Sequence, residues 1–324
     1  KNEVTSMEVL VDNRDGNIYE VPVTSINWKT EKTGKASELN VTLLNPKPLE
    51  DKVVSGAIVR VIDDTHKIFY GYSFKAGFGK NSEFKITAYD QLKYLMYNDT
   101  YVIPSMQAEV AIARICGQAG CSLNTIANTG FTAPAMVEED KKALDVIMKY
   151  IDSAIVATNQ SFVFMDNFGS LGLHNIKDMI IPPTDFYIGE ESLLYDFDYS
   201  VSIEDAYNKI KLVVDDKKAS KRKVFIAQDS GNIAKWGQLQ YYKKVDENMT
   251  SAQVESLLDV LLAVHNKEKK ELSLKCLGDW RVRAGKMVFI YIEKLGLKQL
   301  FLVEACTHDW SAKVHTMSLE LKVV

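Results

Sequence analysis

Four cysteines and five histidines are the residues best able to hold a metal or act as nucleophile and base, and their spacing argues against each use. Cys116 and Cys121 form a C-x4-C pair, but a structural zinc site takes four ligands, and Cys276 and Cys306 lie far along the chain and 30 residues from each other. So few cysteines, so scattered, suit a reducing compartment, and no disulfide is expected. His66, His174, His265, His308 and His315 never fall at the H-x3-H or H-E-x-x-H spacing of helical metal ligands. His308-Asp309 has the composition of a base with its orienting carboxylate, yet the segment alternates like a strand, where neighbouring side chains point to opposite faces. No G-x-S-x-G elbow supplies a nucleophile. Gly77-Phe78-Gly79-Lys80 resembles a phosphate loop, but Phe74 and Asn81 stand where that loop needs a glycine and a hydroxyl, so a hairpin turn is the better reading. The acidic doublets Asp63-Asp64, Glu190-Glu191 and Asp215-Asp216 are adjacent in sequence, which says nothing of the through-space gap a glycosidase pair requires. The expectation is a chain with no catalytic residue, no metal and no cofactor.

Charge narrows the partners. With 39 basic and 43 acidic residues the net charge is −4, so no global positive field holds nucleic acid or an anionic membrane. The one dense basic run, Lys217-Lys218-Ala219-Ser220-Lys221-Arg222-Lys223, lacks interleaved aromatic residues for base stacking and reads as a solvated hairpin tip. No window reaches ~18 consecutive apolar residues, and Lys1-Asn2-Glu3-Val4 does not begin a signal sequence, so a soluble, non-exported chain is expected. The glycosylation triplets, such as Asn98-Asp99-Thr100 and Asn248-Met249-Thr250, carry no weight without a secretory route.

An apolar content of 46% fills real cores, and the length suggests about two or three domains. Residues 5–90 read as short alternating strands: Met7–Val11, Ile18–Val23, Leu39–Leu44, Ala57–Ile62, Lys67–Phe74 and Phe84–Tyr89. A helix capped by Ser105 follows, with Ala108, Ala111, Ile112, Ile115, Cys116 and Ala119 on one face. A second helix carries Leu144, Ile147, Met148, Ile151 and Ile155, and a hairpin runs from Ser161–Met165 to Leu171–His174. From Tyr195 strands return, interrupted once by a helix with a Thr250/Gln253 capping box, ending near His265. The last strands echo early ones. Ser55–Val61 matches Ala284–Ile290, Phe69–Tyr72 matches Phe301–Glu304, and Phe84–Ala88 matches Met317–Leu321, as two copies of one β-domain would.

Phe69-Tyr70-Gly71-Tyr72, the run Thr87 to Leu95, Asp99-Thr100-Tyr101, the run Tyr207 to Leu212, the run Ala234 to Tyr242 and Val282-Arg283-Ala284-Gly285 resemble the XkdQ-type tail proteins of prophage-like elements, within the late-control-protein-D-like and T4-gene-27-like baseplate hubs. The resemblance covers nearly the full length. It implies a mainly β, α+β fold: two tube-like antiparallel β-barrels, residues 1–100 and 193–324 (the latter with an inserted helix), flanking a small α+β domain at 101–192. It implies a non-enzymatic hub of a contractile phage tail or tail-like bacteriocin, assembled in the host cytoplasm. Its partners would be two further copies of itself, the tail tube, the spike and other baseplate proteins, with DNA passing through the ring unread. The middle domain would then decorate the ring.

Among the aromatic residues, Trp236, Tyr241 and Tyr242 are the candidate subunit-interface anchors, with the proviso that Tyr241 and Tyr242 face opposite sides of a strand. Two rival functions remain on residue types alone: a tail-borne cell-wall hydrolase using an acidic doublet, and a carbohydrate-binding module using exposed tyrosines.

Overall fold

The computed structural model describes residues 7–43, 55–78, 83–216, 221–247, 249–311 and 314–323. Of the turn expected at Gly77–Lys80, Gly77 and Phe78 still belong to a strand while Gly79 and Lys80 lie outside the described residues; of the expected basic tip, Lys221–Lys223 belong to a strand while Lys217–Ser220 lie outside, as does Asn248. Two compact units emerge, one of residues 1–198 with 273–324 and the other of residues 199–272.

The first unit begins with β1 (Met7–Asp12), β2 (Ile18–Glu20), β3 (Val23–Glu31), β4 (Glu38–Leu43), β5 (Ile58–Asp63), β6 (His66–Phe78) and β7 (Phe84–Tyr89). Period-two alternation fixes which face is inward: β4 buries Leu39, Val41 and Leu43, and β7 buries Phe84, Ile86 and Ala88. The alternation in the sequence does not single out β3, yet β3 carries Ile26, Trp28 and Thr30 into the same interior. The antiparallel order is β3-β4-β7-β6-β5-β1-β2.

Next come β8 (Asn98–Ile103), β9 (Met106–Gln107), α1 (Ala108–Gln118), β10 (Leu123–Ile126), β11 (Thr132–Ala133), β12 (Met136–Lys142), α2 (Ala143–Thr158), β13 (Phe162–Asp166) and β14 (Leu171–Asn175). The expected stripes of α1 and α2 meet in one core with Phe162, Phe164, Leu171 and Leu173, and Cys116 is a buried member of it. Ser105 does not cap α1. Met106 and Gln107 pair with Ala133 and Thr132, which delays the helix to Ala108, and the Ser105 hydroxyl donates instead to the Ala133 carbonyl at 2.9 Å.

After β15 (Ile188–Gly189) and β16 (Leu194–Ser202) the chain builds the second unit. It contains β17 (Lys209–Asp216), β18 (Lys221–Gln228), α3 (Ser230–Trp236), β19 (Gln240–Val245) and α4 (Ser251–His265). Sequence reading expects one helix here and there are two. Asp229 caps α3 by accepting from the Asn232 N–H at 2.9 Å, and Gly237 ends it at φ +80°. That short helix is the crossover that lets β19 lie parallel to β17. The Thr250/Gln253 capping box forms as expected, and α4 lays Val254 and Leu258 on Ile210, Leu212 and Val214 of the sheet.

The first unit resumes with β20 (Lys269–Leu277), β21 (Met287–Ile292), β22 (Leu297–Ser311) and β23 (Val314–Val323). Here the order is β16-β20-β23-β22-β21-β15, the connectivity of β3-β4-β7-β6-β5-β1 strand for strand. The match reaches individual bonds. Gly56 enters β5 at φ +84°, donates to the Ser73 carbonyl at 2.7 Å, and the Ser73 N–H returns to Ala57 at 2.8 Å. Gly285 enters β21 at φ +89°, donates to Val303 at 2.8 Å, and the Val303 N–H returns to Lys286 at 2.9 Å. Only glycine accepts that backbone cheaply. A β-bulge then follows in each copy, between Ser73 and Lys75 and between Val303 and Ala305. The copies differ at one end, where β1 runs antiparallel to β5 and the two-residue β15 runs parallel to β21.

Two features correct the sequence reading. The equivalence Ser73 to Val303 places Phe301 opposite Gly71, so the Phe69/Phe301 match is displaced by two residues, whereas Phe84–Ala88 with Met317–Leu321 is in register. And among the described residues the strands do not close into two barrels. The mainly β, α+β character holds, but the edge of β3 left free by β4 pairs with β22, from Ala305–Glu31 to Ser311–Ser25, and fuses both copies into one 13-stranded sheet.

Candidate functional site: a buried charge cluster and the surfaces around it

The three candidate anchors do not form one patch. Trp236 ends α3 half-buried. Tyr241 turns toward α4, stacks on His265 with ring centroids 5.5 Å apart and meets Tyr207 edge-on at 5.3 Å. Tyr242, on the opposite face of β19, is 52% exposed with the Lys211 ammonium 6.0 Å from its ring. Beneath them sits a residue that sequence reading passed over. Asn208 is fully buried; its side-chain amide donates to the Gly237 carbonyl at 2.7 Å and its side-chain oxygen accepts from the Leu239 N–H at 2.9 Å. It clamps the loop between α3 and β19. Asn208→Ala strands both partners, and we expect a loss of about 2 kcal/mol, read as faster hydrogen exchange across residues 207–245.

In the first unit the motifs Asp90-Gln91 and Val282-Arg283 converge on β13 and its turn. Asp90 is 2% exposed; its carboxylate accepts from the Leu92 N–H and the Ser37 N–H, each at 3.0 Å. Gln91 donates to the Gly169 carbonyl and accepts from the Ser122 N–H at 3.1 Å. Asp166 accepts from Gly169 at 2.8 Å, leaving its other oxygen buried without a hydrogen bond. Arg283 faces both carboxylates, with its guanidinium 5.3 Å above the Trp28 ring and a buried, unpartnered Nε. Burial, and then the charge of Asp166, push the Asp90 carboxyl up to about 7; burial likewise raises Asp166, against the pull of Arg283.

His308, fully buried, and His315, half-buried, make a second group. His308 Nε2 lies 2.6 Å from the Val282 carbonyl, and Nδ1 lies 2.9 Å from His315 Nε2. Burial lowers His308 to about 4, and burial with the charge of His308 lowers His315 to about 3. Asp309 points the other way, to the Asn27 amide at 3.2 Å, so His308 has no carboxylate orienter there. Asp215 is held down to about 2 by Arg222 and Lys244, at 2.7 and 2.5 Å. Asp215 and Asp309 are thus taken up by ion pairs and a hydrogen bond, whereas Arg283 also lines a cleft of about 360 Å³ with Trp28, Trp280, Arg281 and Lys286.

The feature that sequence reading missed is aromatic. On one face of β6 and β7, Tyr72 meets Tyr94 at 5.2 Å, Phe74 meets Tyr89 at 5.5 Å and Tyr94 at 5.7 Å, and the Lys93 ammonium lies 4.4 Å from the Tyr89 ring. The period-two spacing of Tyr70, Tyr72 and Phe74 signals it. Phe74 and Tyr94 stay 41% and 40% exposed.

A family model described as YqbQ-like matches residues 26–322. Two Bacillus subtilis proteins are each 30% identical: the uncharacterized protein YqbQ over 251 residues, 75% of either chain, and the phage-like element PBSX protein XkdQ over 239 residues, 72% of either chain. Among solved structures, the 43 kDa tail protein of prophage MuSo2 from Shewanella oneidensis superposes with a TM-score of 0.72 at 11% identity, over 97% of this chain and 98% of that one. That likeness is one of fold.

Proposed function

Because the chain belongs to the YqbQ-like family, we propose that it is a structural, non-enzymatic protein of a phage-like contractile tail, a hub whose trimeric ring joins a sixfold tube to a threefold spike. One observation carries the reading: the bond-for-bond duplication of β3–β7 in β16 and β20–β23. A cyclic trimer of single-copy subunits offers three like surfaces to a hexamer; a subunit with two copies offers six. The aromatic face of β6 and β7 and the exposed ring of Tyr242 supply contact area of the kind buried at interfaces, with Trp236 beside them in sequence and Tyr241 committed to its own unit. The α+β segment of residues 101–192 decorates the ring and meets other baseplate components. The setting is the tail tip of a particle assembled in the host cytoplasm, with DNA crossing the ring unread. Among the described residues no helix is long and apolar enough to cross a membrane.

Electron microscopy of particles assembled from this chain and its neighbouring tail proteins tests the reading. The expected result is threefold density for the chain between tube and spike. Particles with tube and spike joined and no density for this chain there would overturn it. Tyr242→Ala is expected to weaken ring incorporation while leaving the fold intact.

A further inference from the structure

The cleft that Arg283 lines holds positive charge that the fold leaves unpaired. It opens between the turn joining β20 to β21, the start of β6 and the segment Ile180–Asp185, all within the first unit. Arg281 is spent on Asp279, which accepts from its Nε at 2.9 Å and its Nη2 at 2.7 Å. Arg283 and Lys286 have no such partner. The Arg283 Nε is buried without a hydrogen bond, and the guanidinium faces Asp90 and Asp166 without hydrogen-bonding either. The half-buried Lys286 ammonium makes no hydrogen bond or ion pair among the described residues. Burial and the charge of Arg283 push its pKa down. Two cations brought together away from water, with no anion between them, destabilise a fold unless something else binds there.

The surroundings select the anion. The exposed Asp185 offsets the exposed Lys67 across the cleft, and Asp90 and Asp166 behind Arg283 offset part of its charge. The remaining surplus suits one negative charge better than two. The half-buried Trp280 ring and the exposed Ile180 and Pro182 complete the wall, an apolar surface that a bare inorganic ion would leave unused. A volume of about 360 Å³ lies at the small end of ligand sites. The guanidinium fork matches the two oxygens of a carboxylate.

We propose that this cleft binds an organic monocarboxylate, with Arg283 and Lys286 on its oxygens and the Trp280 ring against its apolar body. The carboxylate belongs either to a free acid or to an acidic side chain of a neighbouring protein. The site is contained in one chain, so it stands whether or not the trimeric ring forms.

The test titrates the full chain with benzoate, with its neutral isostere benzamide and with inorganic phosphate, read by tryptophan fluorescence and melting temperature. Benzoate is expected to saturate with a Kd of about 1 mM or below and to raise the melting temperature. Benzamide and phosphate are expected to bind at least about tenfold more weakly. Lys286→Met removes an unpaired, half-buried charge, so without ligand it is expected to melt no lower than the parent, while its benzoate affinity falls at least about tenfold and Lys286→Arg keeps it. No benzoate binding, equal binding of benzamide, or undiminished binding in Lys286→Met would overturn the site; phosphate binding as tightly as benzoate would overturn the carboxylate assignment. A Lys286→Met chain that fails to fold would make Lys286 a structural residue and overturn its role, and the benzoate and benzamide titrations of the parent would still judge the site. Incorporation of Lys286→Met into particles in competition with the parent separates the two sources: a fall assigns the carboxylate to a neighbouring chain, equal incorporation to a free acid.

Discussion

Arg283→Met is expected to lower the free energy of unfolding by about 3–5 kcal/mol, the usual cost of removing one partner from a buried charge group. The methionine keeps most of the stem, so the loss comes from charge. Asp90 and Asp166, 2% and 3% exposed, would keep their burial without the cation that draws them down, and Trp28 would lose the guanidinium over its ring. The cause can be isolated. In an Asp90→Asn, Asp166→Asn background the carboxylates are gone, so adding Arg283→Met should cost much less, because the buried charges it would strand no longer exist. Urea denaturation of the four chains measures this cycle. An equal loss in both backgrounds would show that Arg283 acts through packing alone. The assignment also explains why residues distant in sequence, in two of the motifs and one turn, sit together: Asp90-Gln91 fastens the end of β7, Asp166–Gly169 the β13 turn, and Arg283 the entry to β21.

What the sequence displays and what it hides divide along local and nonlocal physics. The strands of the first copy other than β3, the stripes of α1 and α2 and the capping box of α4 depend on neighbours a few residues away, and they are where alternation and capping place them. Ser105 fails as a cap because Met106–Gln107 is drawn into pairing with Thr132–Ala133, which no local signal announces. The repeat is legible, yet its middle segment slips by two residues, and a slip of two preserves which side faces inward. Only the backbone bonds at Gly56 and Gly285 fix the register. Likewise α3 is one short helix whose signals, Asp229 before it and Gly237 after it, are readable but slight beside the strands on either side. The charge cluster is hidden because its members come from distant segments, and the fusion of two copies through β3 and β22 because pairing partners are set by tertiary folding. The aromatic face was there to be read in Tyr70, Tyr72 and Phe74.

Acid should act on this protein through two terms of opposite sign, separable by single substitutions. His308, buried, and His315, half-buried against it, are held neutral, with pKa values lowered to about 4 and about 3, against about 6.5 in an unfolded chain. As pH falls below 6.5 the unfolded state takes protons that the folded state refuses, so these two groups withdraw stability, each by about 1.4 kcal/mol per pH unit where the difference is complete. Asp90 does the reverse. Its carboxyl, raised to about 7, stays protonated in the folded state down through the range where an unfolded aspartate is ionised, so its contribution grows as pH falls from 7 toward about 4. Two protons against one leave a net loss on acidification from these three groups. In Asp90→Asn the opposing contribution is gone. Its stability relative to the parent is therefore expected to rise with pH between about 4 and 7, by about 1.4 kcal/mol per unit. His315→Gln removes one of the histidine terms, so its relative stability should fall with pH between about 4 and 6.5. Any fixed cost of either substitution shifts its curve without tilting it, which is why slopes from urea denaturation at half-unit steps are the quantity to read. Parallel curves for parent and Asp90→Asn would mean that Asp90 is ionised in the folded state, with Arg283 rather than a proton balancing it. The charge cluster would then be an ion pair and not a shared acid.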